Sequence, residues 1–184
     1  MDGRRPWFRG QTPYAGKEAL GQIGDMPSLD LLSRLDLPMA SRLTDLAALL
    51  GKRGTVVLKA EPGAGKTSLA PFAAAAAMEA AGRGGKVIVL EPRRVAAVQA
   101  AWRAAELAGE KPGHGIGYRV RGEARAGSGI EFVTEGVFLR MIQSDPGLEG
   151  VSAVILDEFH ERSLNADLSL AFALEARKAL RPDL

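Results

Sequence analysis

Cysteine is absent from the chain, which excludes disulfides and thiolate chemistry and fits a reducing compartment. Histidine occurs only at His114 and His160, which are far apart in sequence and lack a local metal-ligand spacing, so no zinc site is expected. No apolar run approaches the roughly 20 residues needed to span a bilayer. The amino terminus has no signal-peptide apolar core, and a cytoplasmic location is the expectation. Strong charge of one sign is also missing: 24 lysines and arginines face 22 acids, a net charge of +2, although the pI is about 9.1. Near neutrality a few arginines move the pI far without creating a strong field, so any nucleic-acid surface must be local. The 184 residues, 46% of them hydrophobic, give room for one substantial domain and exclude a second of equal size.

The first 30 or so residues are rich in Gly, Pro and Arg without a sustained period. Residues 1–34 are therefore read as a disordered extension, and 35–184 as the folded domain. Within the extension, Arg4-Arg5-Pro6-Trp7-Phe8-Arg9 has the charge and stacking groups to touch nucleic acid, but an unstructured tail or a misplaced start codon is the favoured reading. Order is expected from near Leu37-Pro38, with Leu43, Leu46, Leu49 and Leu50 at helical spacing and Gly51 as the stop.

Thr55 to Lys59 reads as a strand entering a glycine-rich loop, and a helix follows from Thr67 through the alanines 73–77 to near Gly82. Further strands are expected at Lys86–Leu90, Ile116–Arg121, Ile130–Val133 and Val151–Leu156, with helices at Arg94–Leu107, Gly136–Gln143 and Ser163–Leu180. Strands alternating with helices, several strands wholly apolar, predict an α/β fold: a mostly parallel sheet with helices on both faces.

Two segments carry chemistry. Gly63-Ala64-Gly65-Lys66-Thr67 follows the apolar run Val56-Val57-Leu58. A glycine-rich turn between strand and helix can cradle phosphates with its N–H groups, Lys66 reaching the outer phosphates and the Thr67 hydroxyl reaching a metal. Ser68, in the first helical turn, can add a phosphate contact. Ala60 stands where the phosphate-loop pattern GxxxxGK[ST] has its first glycine, a minor departure because Gly63 and Gly65 supply the needed freedom. Asp157-Glu158-Phe159-His160 ends the apolar run Val154-Ile155-Leu156. An acidic pair at the carboxyl end of a buried strand can place Asp157 near Mg²⁺ and Glu158 near an attacking water. His160 alone reads as a locally satisfied histidine, Trp102 as core packing, and Arg93-Arg94 as a solvated helix start.

In their order, these segments resemble a family. Ala60–Thr67 is similar to helicase motif I, Leu90-Glu91-Pro92-Arg93-Arg94 to motif Ia, Thr134-Glu135-Gly136 to motif Ib, and Asp157–His160 to motif II of the DEAH-type superfamily 2 helicases. Phe159 replaces the alanine that names the group. The resemblance covers about residues 35–184 and implies the first RecA-like lobe of a P-loop enzyme that uses ATP and Mg²⁺. It implies a link from His160 to a neighbouring lobe, adenine stacking by Arg103, and a nucleic-acid path along Arg93, Arg94 and Thr134. Guanidinium forks and a hydroxyl suit phosphate oxygens without reading bases. Arg119 and Arg121 alternate along one strand and extend that path.

Helicases of this kind hydrolyse ATP between two RecA-like lobes. The chain ends at Leu184, before the Ser-Ala-Thr motif and the second lobe with its arginine finger, so the expectation is a fragment or truncated product that alone hydrolyses ATP slowly. A stand-alone nucleotide-binding module that regulates a partner is the alternative. RNA and DNA remain equally open as substrates.

Overall fold

The computed structural model describes residues 26–184; the basic and aromatic cluster at Arg4–Arg9 lies outside them. The elements run α1 (Leu29–Ser33), α2 (Leu43–Arg53), α3 (Lys66–Ala80), β1 (Lys86–Glu91), α4 (Arg94–Leu107), β2 (Ile116–Val120), β3 (Glu123–Arg125), β4 (Ile130–Thr134), α5 (Glu135–Ser144), β5 (Val151–Leu156) and α6 (Leu164–Ala179). The strands form one sheet in the order β3-β2-β4-β1-β5, parallel except for the β2–β3 hairpin. This is the expected α/β architecture.

Alternation along β1 separates two cores. Val87 and Val89 point to one face, where they meet Leu43, Leu46, Leu69, Phe72, Ala101 and Phe132. Ile88 and Leu90 point to the other and meet Phe138, Ile142 and Ala173. Both faces of β1 are buried because helices cover both sides, as parallel sheets require. In α3 the alanine run supplies Ala73, Ala74 and Ala77 as buried small residues, a close-packing face with no chemistry of its own. Among the described residues no helix is long and apolar enough to cross a membrane.

Three expectations are corrected and one strand is added. Thr55–Lys59 is not a strand: the segment is irregular, Val57 is 93% exposed, and none of its backbone groups bonds to another described segment. Its apolar run has the composition of a buried strand, but β5 forms the sheet edge without pairing to it. Order begins before residue 35: Ser28 accepts a hydrogen bond from Leu31 N and caps α1, and Leu32 is buried in the main core. A single buried leucine in a five-residue helix leaves no period to read. α2 runs past Gly51 to Arg53 and stops at Gly54, in the left-handed region at φ 70°, whose N–H returns to Leu50 O. Finally, the short strand β3 is exposed throughout and carries no apolar signal.

Candidate active site

The carboxyl ends of the central strands set the site. Glu91 of β1 pairs in register with Thr134 of β4, and Leu90 with Leu156 of β5. Asp157 N donates to Leu90 O at 3.0 Å, so the acidic segment leaves the sheet beside the end of β1. Ligands of open α/β sheets bind outside these strand ends.

On the opposite wall, the glycine-rich loop is pinned from two sides. Met39 N donates to Ala64 O at 3.0 Å, and Ala64 is buried. Gly63 and Gly65 adopt φ of 77° and 95°, a region that L side chains rarely enter. At Gly65 an added Cβ would also stand 3.1 Å from Leu69 Cδ1 and 3.2 Å from Leu37 Cδ1, so this position needs glycine on two counts. The turn delivers the chain into α3, a 15-residue helix whose first-turn N–H groups have no intrahelical acceptor and face the cleft. Lys66 Nζ donates to Ala60 O at 2.5 Å and to Glu61 O at 3.1 Å, curling its ammonium back over the loop.

The loop and the acids meet directly. Thr67 Oγ1 hydrogen-bonds the Asp157 carboxylate, a partner 90 residues away, while the other Asp157 oxygen accepts from Glu158 N at 2.8 Å. Glu158 sits in the left-handed region at φ 47°, ψ 30°. For a non-glycine residue this is a strained conformation of the kind concentrated at functional sites, costing of the order of 1–3 kcal/mol. Glu158 opens the 3₁₀ turn Phe159–Glu161, and Arg162, also left-handed at φ 53°, closes it. His160 Nδ1 lies 3.4 Å from Glu158 Oε2, with the ring largely exposed.

An open cleft of about 370 Å³ is lined by Thr67, Ser68, Glu91, Arg93, Arg103 and Glu158, among others. Arg103, on α4, thus faces the same cleft as the phosphate loop. Of the other arginines, Arg93 makes a two-pronged pair with Glu161, at 3.0 and 3.2 Å, and Arg94 pairs with Glu123 at 3.1 Å. Thr134 stands immediately before α5 at the same strand-end level. Arg119 is drawn toward the sheet: it pairs with Glu131 at 3.1 Å, a carboxylate that is itself buried and also bonded by Lys86. Arg121 lies in the turn between β2 and β3 and is exposed.

Two acids of the cleft had no role in the sequence reading, Glu91 and Glu161. Glu91 was visible: it ends the apolar run Val87–Leu90 with the same grammar as Leu156-Asp157. Glu91 is 2% exposed, and burial, with Asp157 and Glu158 beside it, pushes its pKa up to about 8. A carboxyl whose folded pKa is raised binds a proton that the unfolded chain has already released between about pH 4.5 and 8. Its contribution to stability is therefore complete below that window and lost as pH rises through it. Without divalent ions, the urea midpoint is expected to fall between pH 5.5 and pH 8.5, and Glu91→Gln to flatten that slope. An unchanged slope in Glu91→Gln would remove Glu91 as its source.

Residues 44–174 match the DEAD/DEAH box helicase family. The chain is 51% identical over 150 residues to the ATP-dependent RNA helicase HrpB of Escherichia coli, covering 80% of the chain and 18% of that protein. Over 153 residues it is 35% identical to the human ATP-dependent RNA helicase DHX30, covering 80% of the chain and 13% of the relative. The crystal structure of the E. coli DEAH/RHA helicase HrpB superposes with a TM-score of 0.74 at 50% identity, over 81% of this chain and 19% of that one. The chain thus spans less than a fifth of the length of these relatives. With its phosphate loop joined to a strand-end acidic pair and this extent of similarity, the chain belongs to the DEAD/DEAH box helicase family.

Proposed function

We propose that this segment binds magnesium–ATP and, with a second RecA-like lobe, couples its hydrolysis to movement along RNA or DNA. A cytoplasmic location belongs to the same reading. The observation that carries it is the hydrogen bond from Thr67 to Asp157, which brings the phosphate loop and the acids to one point. A hydroxyl and a carboxylate are the hard oxygen donors that magnesium takes, and these two residues would hold the ion. Among the described residues no group of three or more His, Cys, Asp or Glu side chains surrounds a metal position, which suits an ion kept mostly by water and substrate phosphates. When bound, the ion offsets negative charge on the transferring phosphoryl group.

The chain's own residues divide the remaining work. The N–H groups of residues 63–68 cradle phosphate oxygens. Lys66 exchanges its Ala60 and Glu61 carbonyl partners for the outer phosphates, a gain because the new acceptors are charged. Glu158 orients the attacking water and takes its proton. Arg103 lays its planar guanidinium against the base, and His160 passes the state of the Glu158 turn to the neighbouring lobe. The E. coli relative's name, RNA helicase, makes RNA the first nucleic acid to test. Stimulation of ATPase activity in the full-length protein by RNA or DNA is the expected result. ATP binding with no stimulated hydrolysis would overturn the motor reading in favour of a nucleotide-dependent regulator.

Arg93, Arg94 and Thr134 form the proposed nucleic-acid path, with Arg121 and, after release from Glu131, Arg119 extending it. Arg93 and Arg94 are exposed and paired only to surface carboxylates, and such pairs contribute little that a phosphate cannot replace. The double variant Arg93→Ala, Arg94→Ala is expected to bind single strands more weakly and to lower the slope of log affinity against log salt by about 1.4, two lost phosphate contacts at about 0.7 each. Fluorescence anisotropy across a salt series measures it. An unaltered slope would take both arginines off the path.

A further inference from the structure

Glu91 is the least accommodated polar group of the cleft. It is 2% exposed, its Oε1 has no hydrogen-bond partner, and it ends β1 at the level where Asp157 follows β5, Asp157 N bonding to Leu90 O. The register that aligns Leu90 with Leu156 sets the two acids side by side where their strands end. An orphaned buried oxygen is destabilising, so an apolar residue would serve the sheet better if packing were the only demand at this position. Asp157 is held on one side by Thr67 and by the Glu158 N–H, and Glu91 is the residue beside it in the β1–β5 register.

We propose that Glu91 is a positioning residue for Asp157: it closes the β1 side of the Asp157 carboxylate, so that the carboxylate stays aligned with Thr67. This rests on the reading of Thr67 and Asp157 as the magnesium pair. Outer groups that orient metal ligands matter to affinity nearly as much as the ligands, with losses of 10- to 100-fold on their removal. Gln keeps the shape and a polar end at this position, whereas Leu keeps only the volume.

The test measures binding of a fluorescent ATP analogue to the chain at increasing Mg²⁺, and again in EDTA. Glu91→Leu is expected to raise the Mg²⁺ concentration at half-maximal binding about tenfold while leaving affinity in EDTA unchanged. Glu91→Gln is expected to restore the parent value to within about twofold. Glu91→Ala substitutes for the Leu variant should that one not fold, as judged by circular dichroism. Parent-like Mg²⁺ dependence in the folded Leu or Ala variant overturns the proposal, as does a Gln variant as impaired as Leu. A parent chain whose nucleotide binding ignores Mg²⁺ overturns the magnesium assignment itself, and this inference with it. The two failures are distinguished by whether the parent or only the variants lose the effect.

Discussion

Glu158→Gln is expected to lower nucleic-acid-stimulated ATP hydrolysis by about 10²- to 10⁴-fold, the contribution of a well-placed general base, while magnesium–ATP affinity stays within about twofold of the parent. Three features of the site lead there. Glu158 follows Asp157 directly but makes no hydrogen bond or ion pair to the phosphate loop among the described residues, so its loss should spare binding. Its backbone is locked in the left-handed region, which aims the side chain without demanding anything of its charge, and Gln fits the same conformation. Its carboxylate is partly exposed, with His160 beside one oxygen only, which leaves the other for a water. The amide keeps that geometry and loses the basicity. The check is a single-turnover rate beside an equilibrium titration. Equal hydrolysis by variant and parent would remove Glu158 from the proton transfer, and a parallel loss of binding would make it a ligand instead.

Lys66→Ala is expected to weaken ATP binding by about 10- to 150-fold, the equivalent of one hydrogen bond to a charged group at about 1.5–3 kcal/mol. The loss is bounded because the cradle is built from backbone. Gly63, Gly65 and the start of α3 keep their conformations through contacts that do not involve the lysine side chain, such as Met39 N to Ala64 O. The same variant removes the bonds from Nζ to Ala60 and Glu61, which shape the loop only from its exposed side. Calorimetric titration with ATP and with ADP separates the parts: a loss larger for ATP than for ADP assigns Lys66 to the outermost phosphate, and unchanged affinity for both would take it off the phosphates.

The readable parts of this chain are those in which one local pattern has one physical solution. α4 and β5 fall at their expected bounds because helical spacing and a short apolar run each fit a single element. The phosphate loop and the acidic pair were legible as separate motifs, and their shared magnesium chemistry already implied that Thr67 and Asp157 come together. What escaped depends on partners. Val56-Val57-Leu58 has the composition of a central strand, but composition records only the demand for neighbours, not whether the described chain supplies them. Arg119 read as a phosphate-facing cation because nothing local announces that Glu131, buried on the adjacent strand, takes it. Glu161 likewise became visible only with Arg93 beside it. α1 is held by one capping serine and one buried leucine, too little to register as a period.

The bond between Thr67 and Asp157 also governs when the site can exist. Its two ends lie 90 residues apart, and β1, between them in sequence, pairs with β4 and β5, both later in the chain. At about 5–20 residues synthesised per second, the phosphate loop emerges from the ribosome about 5–18 s before its acidic partner. For most of that interval β1 has neither neighbour, and early ATP meets a loop with nothing opposite. Because non-local pairings pay their loop-closure entropy before any contact rewards it, the domain must fold late and cooperatively, and nucleotide can stabilise only the finished sheet.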